Sequence, residues 1–464
     1  MKSTITSIYS QKKKTLPILK DMNVELQVNE NPFDLSLDQL FTMAARVNKK
    51  RAFLFVSELL GKHIPVKPFV PLVTSGLLAL LYAERNNKAD IETKAILSDF
   101  LSDDDERLGQ AFSKLKDQLA HFQEDVLVIG FAETATALGH GVSDMLRGSA
   151  YLHTTREDLP HSPLVTFEEE HSHAVDQLCY AKPEWLQSDK PVILVDDEIT
   201  TGKTAINIIN EMHSKFPRDE YTVLSILDWR STDDRRRFSD IEKDLGITIR
   251  SYSLLTGEMN FRGKSLSKAS YSYGPRMEDP PKLDFQFIDV SNFFRSSDWL
   301  KSVEGNQSIE KDYIHETGRF GLTADDHDSV TAACKAAGEY LRSVRSTSGK
   351  ILCLGAGELM YLPMRMAAFM GKEIYFHSTT RSPIHPVDKE GYAIRNGFTF
   401  PNPENFEIQH FLYNIPKSTY EELFFFTEKP VSKASIQPIA SLCEECGIAK
   451  LYVVSLAKGS DDHR

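Results

Sequence analysis

The chain runs to 464 residues, 41% of them hydrophobic and 26% charged, with a formal net charge of −12. Such values describe a soluble globular protein of roughly two or three domains and argue against broad nucleic-acid binding, which needs excess positive charge. No apolar run approaches the length of a membrane span, and a phosphorylated substrate must be met by local basic groups rather than by the overall field.

Residues 1–30 are polar and weakly patterned, and are expected to form an N-terminal tail or an edge element; the first domain is placed at 31–275. Ser36 followed by Gln39 has the form of a helix-capping box, and Phe41 to Val47 is expected to be helical. The basic cluster Arg46-Val47-Asn48-Lys49-Lys50-Arg51 is either a solvated face or a hood that touches a base or phosphate. Residues 73–85 and 107–123 carry amphipathic helical patterns. Val126 to Gly130 is a β-branched run ending in glycine, as in a buried parallel strand. The loop Gly130-Phe131-Ala132-Glu133-Thr134 leads from it into a helix ending near Met145. Ser149 to Arg156 is the next strand. In the polar region that follows, Glu168-Glu169-Glu170-His171-Ser172-His173 reads as a solvated part of a closing lid, with zinc as the rival.

Pro191 to Met212 is the most informative stretch. The apolar run Val192 to Val195 leads into Asp196-Asp197, then into the turn Thr200-Thr201-Gly202-Lys203-Thr204 and a helical pattern from Ala205. A strand fixes carboxylates at its C-terminal end, where open α/β sheets bind ligands. The turn offers backbone N–H groups and hydroxyls to an anion, helped by the helix dipole. A Walker A loop would need a glycine where Asp197 stands; an ordinary buried strand with an acidic turn is the blander alternative. Strands at Tyr221–Arg230 and Gly246–Tyr252 complete a strand–helix alternation, hence an α/β fold with a doubly wound parallel sheet. Tyr273 to Pro281 is a proline-rich break that ends the domain.

The order strand, acid pair, Thr/Gly turn and helix resembles the phosphoribosyl-pyrophosphate (PRPP) loop of type I phosphoribosyltransferases. The resemblance implies that Asp196 and Asp197 bind the ribose hydroxyls, that Thr200, Thr201, Gly202, Lys203 and Thr204 hold the 5′-phosphate, and that Gly130 to Thr134 binds pyrophosphate. Arg156-Glu157-Asp158-Leu159-Pro160-His161-Ser162 is similar to the flexible-loop motif Lys-Glu-x-Lys-x-His-Gly of orotate phosphoribosyltransferases. Arg156, Glu157 and His161 thereby become the catalytic candidates, His161 as proton donor and Arg156 as the cation for the leaving pyrophosphate. Leu159 replaces the second Lys of that motif, and Arg156 or Lys203 is expected to supply the charge. Mg2+ is the implied cofactor, carried in by PRPP, with Asp196 and Asp197 its candidate protein contacts. PRPP and a small-molecule acceptor are the expected ligands, with no nucleic acid or membrane, and a homodimer is compatible with the family. A PRPP-binding sensor without turnover and nucleotide pyrophosphorolysis are the rival functions.

Residues 276–464 are expected to hold a linker and a second α/β domain. Ile351 to Glu358 repeats the strand-Gly-x-x-Glu pattern of Val126 to Glu133, and Thr380 follows Gly355 at the interval at which Thr155 follows Gly130. A later run, Leu423 to Phe426, aligns Glu428 with Glu198 and Lys433 with Lys203, and leaves Phe426-Thr427 in place of the acid pair. The second half therefore reads as a divergent copy that lacks the ribose grip, or as a chance likeness of two α/β folds. Ser378-Thr379-Thr380-Arg381-Ser382-Pro383 resembles the signature of the TRSP domain, found C-terminal to an orotate-type phosphoribosyltransferase domain in proteins of tellurite-resistance-associated operons. That resemblance implies a part in making a nucleotide-like metabolite in a bacterial stress response. Glu358, Arg381 and Ser382 are the second-domain candidates, suited to a phosphate or carboxylate, with a structural Arg at the domain interface as the alternative. Met360 stands where a dinucleotide fingerprint needs its third glycine. Cys443 and Cys446 form a lone CxxC, and five cysteines in all suit a reducing cytoplasm.

Overall fold

The computed structural model describes residues 13–48, 51–86, 92–159, 161–167, 177–266, 282–297 and 313–458. The tracts Glu168–His173 and Tyr273–Pro281 lie outside the described residues.

An edge hairpin starts the first sheet. β1 (Lys13–Leu19) and β2 (Met22–Glu30) pair antiparallel. Buried Val24, Leu26 and Val28 alternate with more exposed neighbours along β2, the period of a strand with one buried face. Residues 13–30 thus belong to the first domain, and the expected tail is an edge element from Lys13 onward. The Ser36 capping box is present, but α1 (Leu37–Leu40) is a single turn. Phe41 then opens β3 (Phe41–Ala45), antiparallel to β4 (Phe53–Ser57), so the helix expected through Val47 is a strand. Tertiary contacts override the local pattern: Arg46 forms a β-bridge to Ile384, and the Val47 N–H donates to Pro383 O at 3.1 Å.

Three helices follow: α2 (Phe69–Arg85), α3 (Lys94–Phe100) and α4 (Asp105–Leu119). The alternating part runs β5 (Leu127–Gly130), α5 (Ala135–Met145), β6 (Ala150–His153), β7 (Val165–Phe167), β8 (Gln177–Cys179), α6 (Glu184–Gln187), β9 (Val192–Ile199), α7 (Lys203–Lys215), β10 (Glu220–Asp228), α8 (Thr232–Leu245) and β11 (Thr248–Arg262). The sheet order is β1-β2-β11-β10-β9-β5-β6, with β11 through β6 parallel. Val192 to Val195 is buried without interruption, because a central parallel strand is covered on both faces.

The second domain comprises β12 (Asp284–Asp289), α9 (Asp326–Val344), β13 (Ile351–Gly355), α10 (Tyr361–Ala368), β14 (Ile374–Ser378), β15 (Gly397–Asn402), β16 (Asn405–Tyr413), β17 (Glu422–Thr427), α11 (Lys433–Cys446) and β18 (Lys450–Ser455). Its parallel sheet has the order β12-β18-β17-β13-β14. Side chains alternate across β13. Leu352 and Leu354 pack in a cluster with Ile436 and Ile439 of α11, whereas Ile351 and Cys353 join the core that continues into the first domain. One hydrophobic core therefore crosses the domain boundary.

Both sheets reverse direction in the same way. From β5 the chain goes to β6 on one side and then to β9 on the other; from β13 it goes to β14 and then to β17. The crevice outside the carboxyl ends of strands at such a switch point is where open α/β folds bind ligands. Among the described residues no helix is long and apolar enough to cross a membrane.

Candidate functional site

A cleft of about 430 Å³ opens at the carboxyl ends of β5 and β9, and Asp196, Asp197 and Glu198 line it from the end of β9. The Asp197 N–H donates to the Asp196 carboxylate at 2.9 Å. Desolvation at this position lifts the Asp197 carboxyl above its ordinary range and lifts Glu198 likewise, while Arg51 donates to Glu198 at 2.5 Å and opposes the shift. Gly202 caps α7 at φ 73°, a left-handed conformation suited to glycine. A Cβ there would run into the Phe238 ring, which Arg230 covers at 4.2 Å. Thr200, Thr201, Gly202 and Thr204 surround a side cavity of about 40 Å³ together with Phe131. Hydroxyls and helix N–H groups converge there, the makings of an anion seat.

On the other side of the cleft stands the loop after β5. A Cβ on Gly130 would lie 2.6 Å from Ala135 O, so glycine lets α5 close onto the strand end. Ala132 N–H donates to Thr154 Oγ1 at 2.8 Å, and Gln177 Nε2 donates to Ala132 O at 2.8 Å. Glu133 pairs with Lys62 at 2.6 Å; Lys62 also donates to Thr379 O at 2.8 Å and Gly357 O at 3.2 Å in the second domain. Burial alone would push the Glu133 carboxyl up, but Lys62, His410 and Arg381 pull it down to about 2. Glu133 is a carboxylate at neutral pH, and Lys62 balances it.

The remaining walls come from two distant segments. Arg46, Asn48 and Arg51 of the basic cluster line the cleft, and Lys49 and Lys50 lie outside the described residues. Thr380, Arg381, Ser382 and Pro383 of the second domain face the acid pair across it, with Gln409 and Phe411 beside them. Arg46 donates to Ser382 Oγ at 3.3 Å. The Arg381 guanidinium makes no hydrogen bond or ion pair among the described residues.

The structure thus gathers Asp196, Asp197, Thr200, Thr204, Ala132, Glu133, Thr134, Arg156, Arg381 and Ser382 around one space. Phe131, Thr201 and Gly202 border its side cavity. Gly130 shapes the loop without lining the cleft, and Lys203 opens α7 without lining either space. Glu157 points elsewhere: it pairs with Lys429 and accepts from Tyr313 OH at 2.6 Å. Burial pushes the Glu157 carboxyl up, and Arg319 with Lys429 brings it down to about 2. Leu159, at the position of the motif's second Lys, is buried with Leu178, Tyr180, Tyr313 and Phe320, which anchors this segment. His161, whose N–H donates to Leu159 O at 2.7 Å, does not line the cleft. Glu358 lies in the domain seam, where its carboxylate accepts from Thr155 Oγ1 at 2.6 Å and from the Arg156 N–H at 2.8 Å.

Sequence reasoning missed Lys62, His63, Gln409 and Phe411, which sit in no motif. His63 lines the cleft with Nε2 buried and unpartnered among the described residues, and burial pushes its imidazole well below the ordinary value. No group of three or more His, Cys, Asp or Glu among the described residues could enclose a metal. The two aspartates of β9 instead suit Mg2+, which takes one or two carboxylates and completes its shell with substrate phosphates and water.

The second crevice differs in register from the sequence alignment. Gly130 pairs with Val195, and Gly355 with Phe426. Thr427-Glu428 therefore stands where Asp196-Asp197 stands, one position away from the alignment of Glu428 with Glu198. One carboxylate is retained, yet it is consumed internally. Arg319 donates to both Glu428 oxygens at 3.0 and 2.8 Å, and the Ile314 N–H donates to it at 3.0 Å.

Residues 40–258 match the family PRTase_2, described as phosphoribosyl transferase, and residues 316–443 match the TRSP domain, described as lying C-terminal to PRTase_2. The chain is a PRTase_2 domain followed by a TRSP domain. No curated protein matches it. Among solved structures it is similar to adenine phosphoribosyl transferase from Trypanosoma brucei, at 9% identity and TM-score 0.30, covering 52% of this chain and 87% of that one. Adenine phosphoribosyltransferase from Saccharomyces cerevisiae is similar at 16% identity and TM-score 0.21, covering 32% and 78%. Orotate phosphoribosyltransferase from Aeropyrum pernix is similar at 18% identity and TM-score 0.19, covering 33% and 77%. The open cleft belongs to the PRTase_2 domain, and the TRSP domain forms one of its walls.

Proposed function

We propose that this protein transfers the phosphoribosyl group of PRPP to a base or nucleotide-like acceptor and releases pyrophosphate. The observation that carries the reading is the pair Asp196–Asp197 at the end of β9, open to the same cleft as the Gly202 turn at the head of α7. Asp196 and Asp197 accept hydrogen bonds from the ribose hydroxyls. Thr200, Thr201, Thr204 and the α7 N–H groups hold the 5′-phosphate. Ala132 to Thr134 and Arg156 face the pyrophosphate. As the C1–oxygen bond to pyrophosphate breaks, positive charge grows on the ribose and negative charge on the leaving group. Fixed charges and dipoles stabilise that separation without having to reorganise, and the hood and TRSP wall hold the acceptor in line with C1. The acceptor's lone pair forms the new bond at C1. His63 lines this wall as a neutral imidazole, since burial holds it well below its ordinary value. Mg2+, when bound with PRPP, neutralises pyrophosphate charge. A cytoplasmic location belongs to the same reading.

A PRPP-binding sensor is the second reading, favoured by Leu159, which is packed in a core cluster where the flexible-loop motif carries a lysine. Exchange of labelled pyrophosphate into PRPP, assayed with a panel of bases, separates the two. A transferase incorporates label with its acceptor present and loses the exchange in Asp196→Asn/Asp197→Asn. PRPP binding with no incorporation for any base identifies a sensor.

A further inference from the structure

Contacts between the two domains recur with the domains exchanged. Glu358 accepts the Arg156 backbone N–H at 2.8 Å, and Glu133 accepts the Arg381 backbone N–H at 3.4 Å. Within each domain, Thr154 Oγ1 accepts from Ala132 N–H at 2.8 Å and Thr379 Oγ1 accepts from Gly357 N–H at 2.8 Å. At the sheet edges, Tyr151 of β6 bridges Leu322 ahead of α9, and Phe376 of β14 bridges Val66 ahead of α2. The equivalent helices α5 and α10 meet at the centre, where the His140 and Tyr361 rings stack at 3.7 Å. Glu133 and Glu358, Thr154 and Thr379, Arg156 and Arg381, and Tyr151 and Phe376 are each separated by the interval that carries Gly130 to Gly355.

When residue i of one unit touches j of the other and j's equivalent touches i's, the contact is isologous, the signature of a two-fold relation. We infer that the TRSP domain is docked as a counterpart subunit inside the chain, its own crevice closed, and that Glu358 is a positioning residue for the PRPP cleft. The inference rests on the PRPP reading above. Its closed crevice keeps about 60 Å³, against about 430 Å³ in the open one. Arg319 occupies the retained Glu428 there, and Lys429 with Tyr313 occupies Glu157. Glu358 reaches across the seam with two charge-assisted hydrogen bonds, to Thr155 Oγ1 and the Arg156 N–H. Those bonds fix the chain that presents Arg156 to the pyrophosphate end of the cleft, so the TRSP domain acts on leaving-group binding through backbone geometry.

Calorimetric titration of the full chain with PRPP, with pyrophosphate (both with Mg2+) and with ribose 5-phosphate tests this. The native chain should bind one PRPP. In Glu358→Gln, a neutral amide replaces the carboxylate, and one of its two acceptor atoms becomes a donor. Binding of PRPP and pyrophosphate should weaken about tenfold or more, the equivalent of one lost charged hydrogen bond. Ribose 5-phosphate, held by Asp196, Asp197 and the Gly202 turn, should be unchanged. Thr155→Ser, which keeps both the donor to Glu358 and the acceptor of the Glu157 N–H, should bind all three ligands as the native chain does, whereas Thr155→Val, which removes both, should give the same split and serves if Glu358→Gln does not fold. Two PRPP per chain, or equal weakening of all three ligands, overturns the inference. Native binding with no split in Glu358→Gln or Thr155→Val overturns it alone; a native chain that binds none of the three ligands overturns the PRPP reading and this inference together.

Discussion

The two crevices share a strand order and differ in how their polar groups are satisfied. Outside β5 and β9, the acid pair faces open space; outside β13 and β17, Glu428 is gripped by Arg319 and the crevice is nearly filled. The helices that follow differ in their caps. Helix α11 is capped by Ser432, whose Oγ accepts the Ser435 N–H at 3.1 Å, so its first turn is satisfied from within. Helix α7 is capped by Gly202, which has no side chain to offer, and the Lys203 N–H at its first position donates to Thr201 Oγ1 at 3.3 Å. A switch point in an α/β sheet becomes a ligand site when its carboxylates line an open cleft rather than being consumed by an internal ion pair.

Breaking the closed crevice should give the largest effect. Arg319→Met leaves Glu428 buried without its partner and should cost roughly 3–5 kcal/mol in urea unfolding, most of it recovered when Glu428→Gln is added. A cost below about 1 kcal/mol would mean that the pair does not hold the crevice shut.

Acid should loosen the domain seam next. Glu133 and Glu157 are both held at about 2 against an ordinary 4.5. A depressed carboxyl contributes stability that is full above the ordinary value and is lost as pH falls toward the depressed one. Stability should therefore fall between about pH 4.5 and 2, by at most roughly 3 kcal/mol per group. Glu157→Gln should flatten that slope by one group's share, as read from unfolding midpoints across the window.

The smallest effect sharpens the contrast between the helix caps. Gly202→Ala meets both a left-handed φ and the Phe238 ring, and should cost about 1–3 kcal/mol together with ribose 5-phosphate binding. Ser432→Ala should cost about 1 kcal/mol and leave that binding intact. Equal ligand loss in the two variants would deny the distinction.

Much of the cleft was legible because its core is contiguous in the chain. Strand, Asp196–Asp197, the Gly202 turn and α7 follow one another within a few residues, so each local pattern reinforces the next. The parallel sheet was legible for the same reason, since its buried strands read as apolar runs. Long-range pairing decided the rest. Phe41 to Ala45 looks helical by composition but is held extended by β4, and the chain beyond it by the bridge to Ile384. The alternation Val24, Leu26, Val28 is a strand signal within residues 1–30, and it decides for the edge element over the tail from Lys13 onward. Lys62 finds Glu133 only through long-range packing within the first domain, and Glu157 finds Lys429 only through the packing of two domains. The echo between the halves was visible in sequence, whereas its register needed the strand pairing of Gly355 with Phe426.

Thermal unfolding with PRPP and Mg2+ tests the central claim most directly. At a PRPP concentration about a hundredfold above its dissociation constant, the native chain should gain about 2.7 kcal/mol, seen as a rise of a few degrees in Tm. Asp196→Asn/Asp197→Asn should show no rise. An unmoved native Tm, or an equal rise in the double variant, would contradict a PRPP grip at the end of β9.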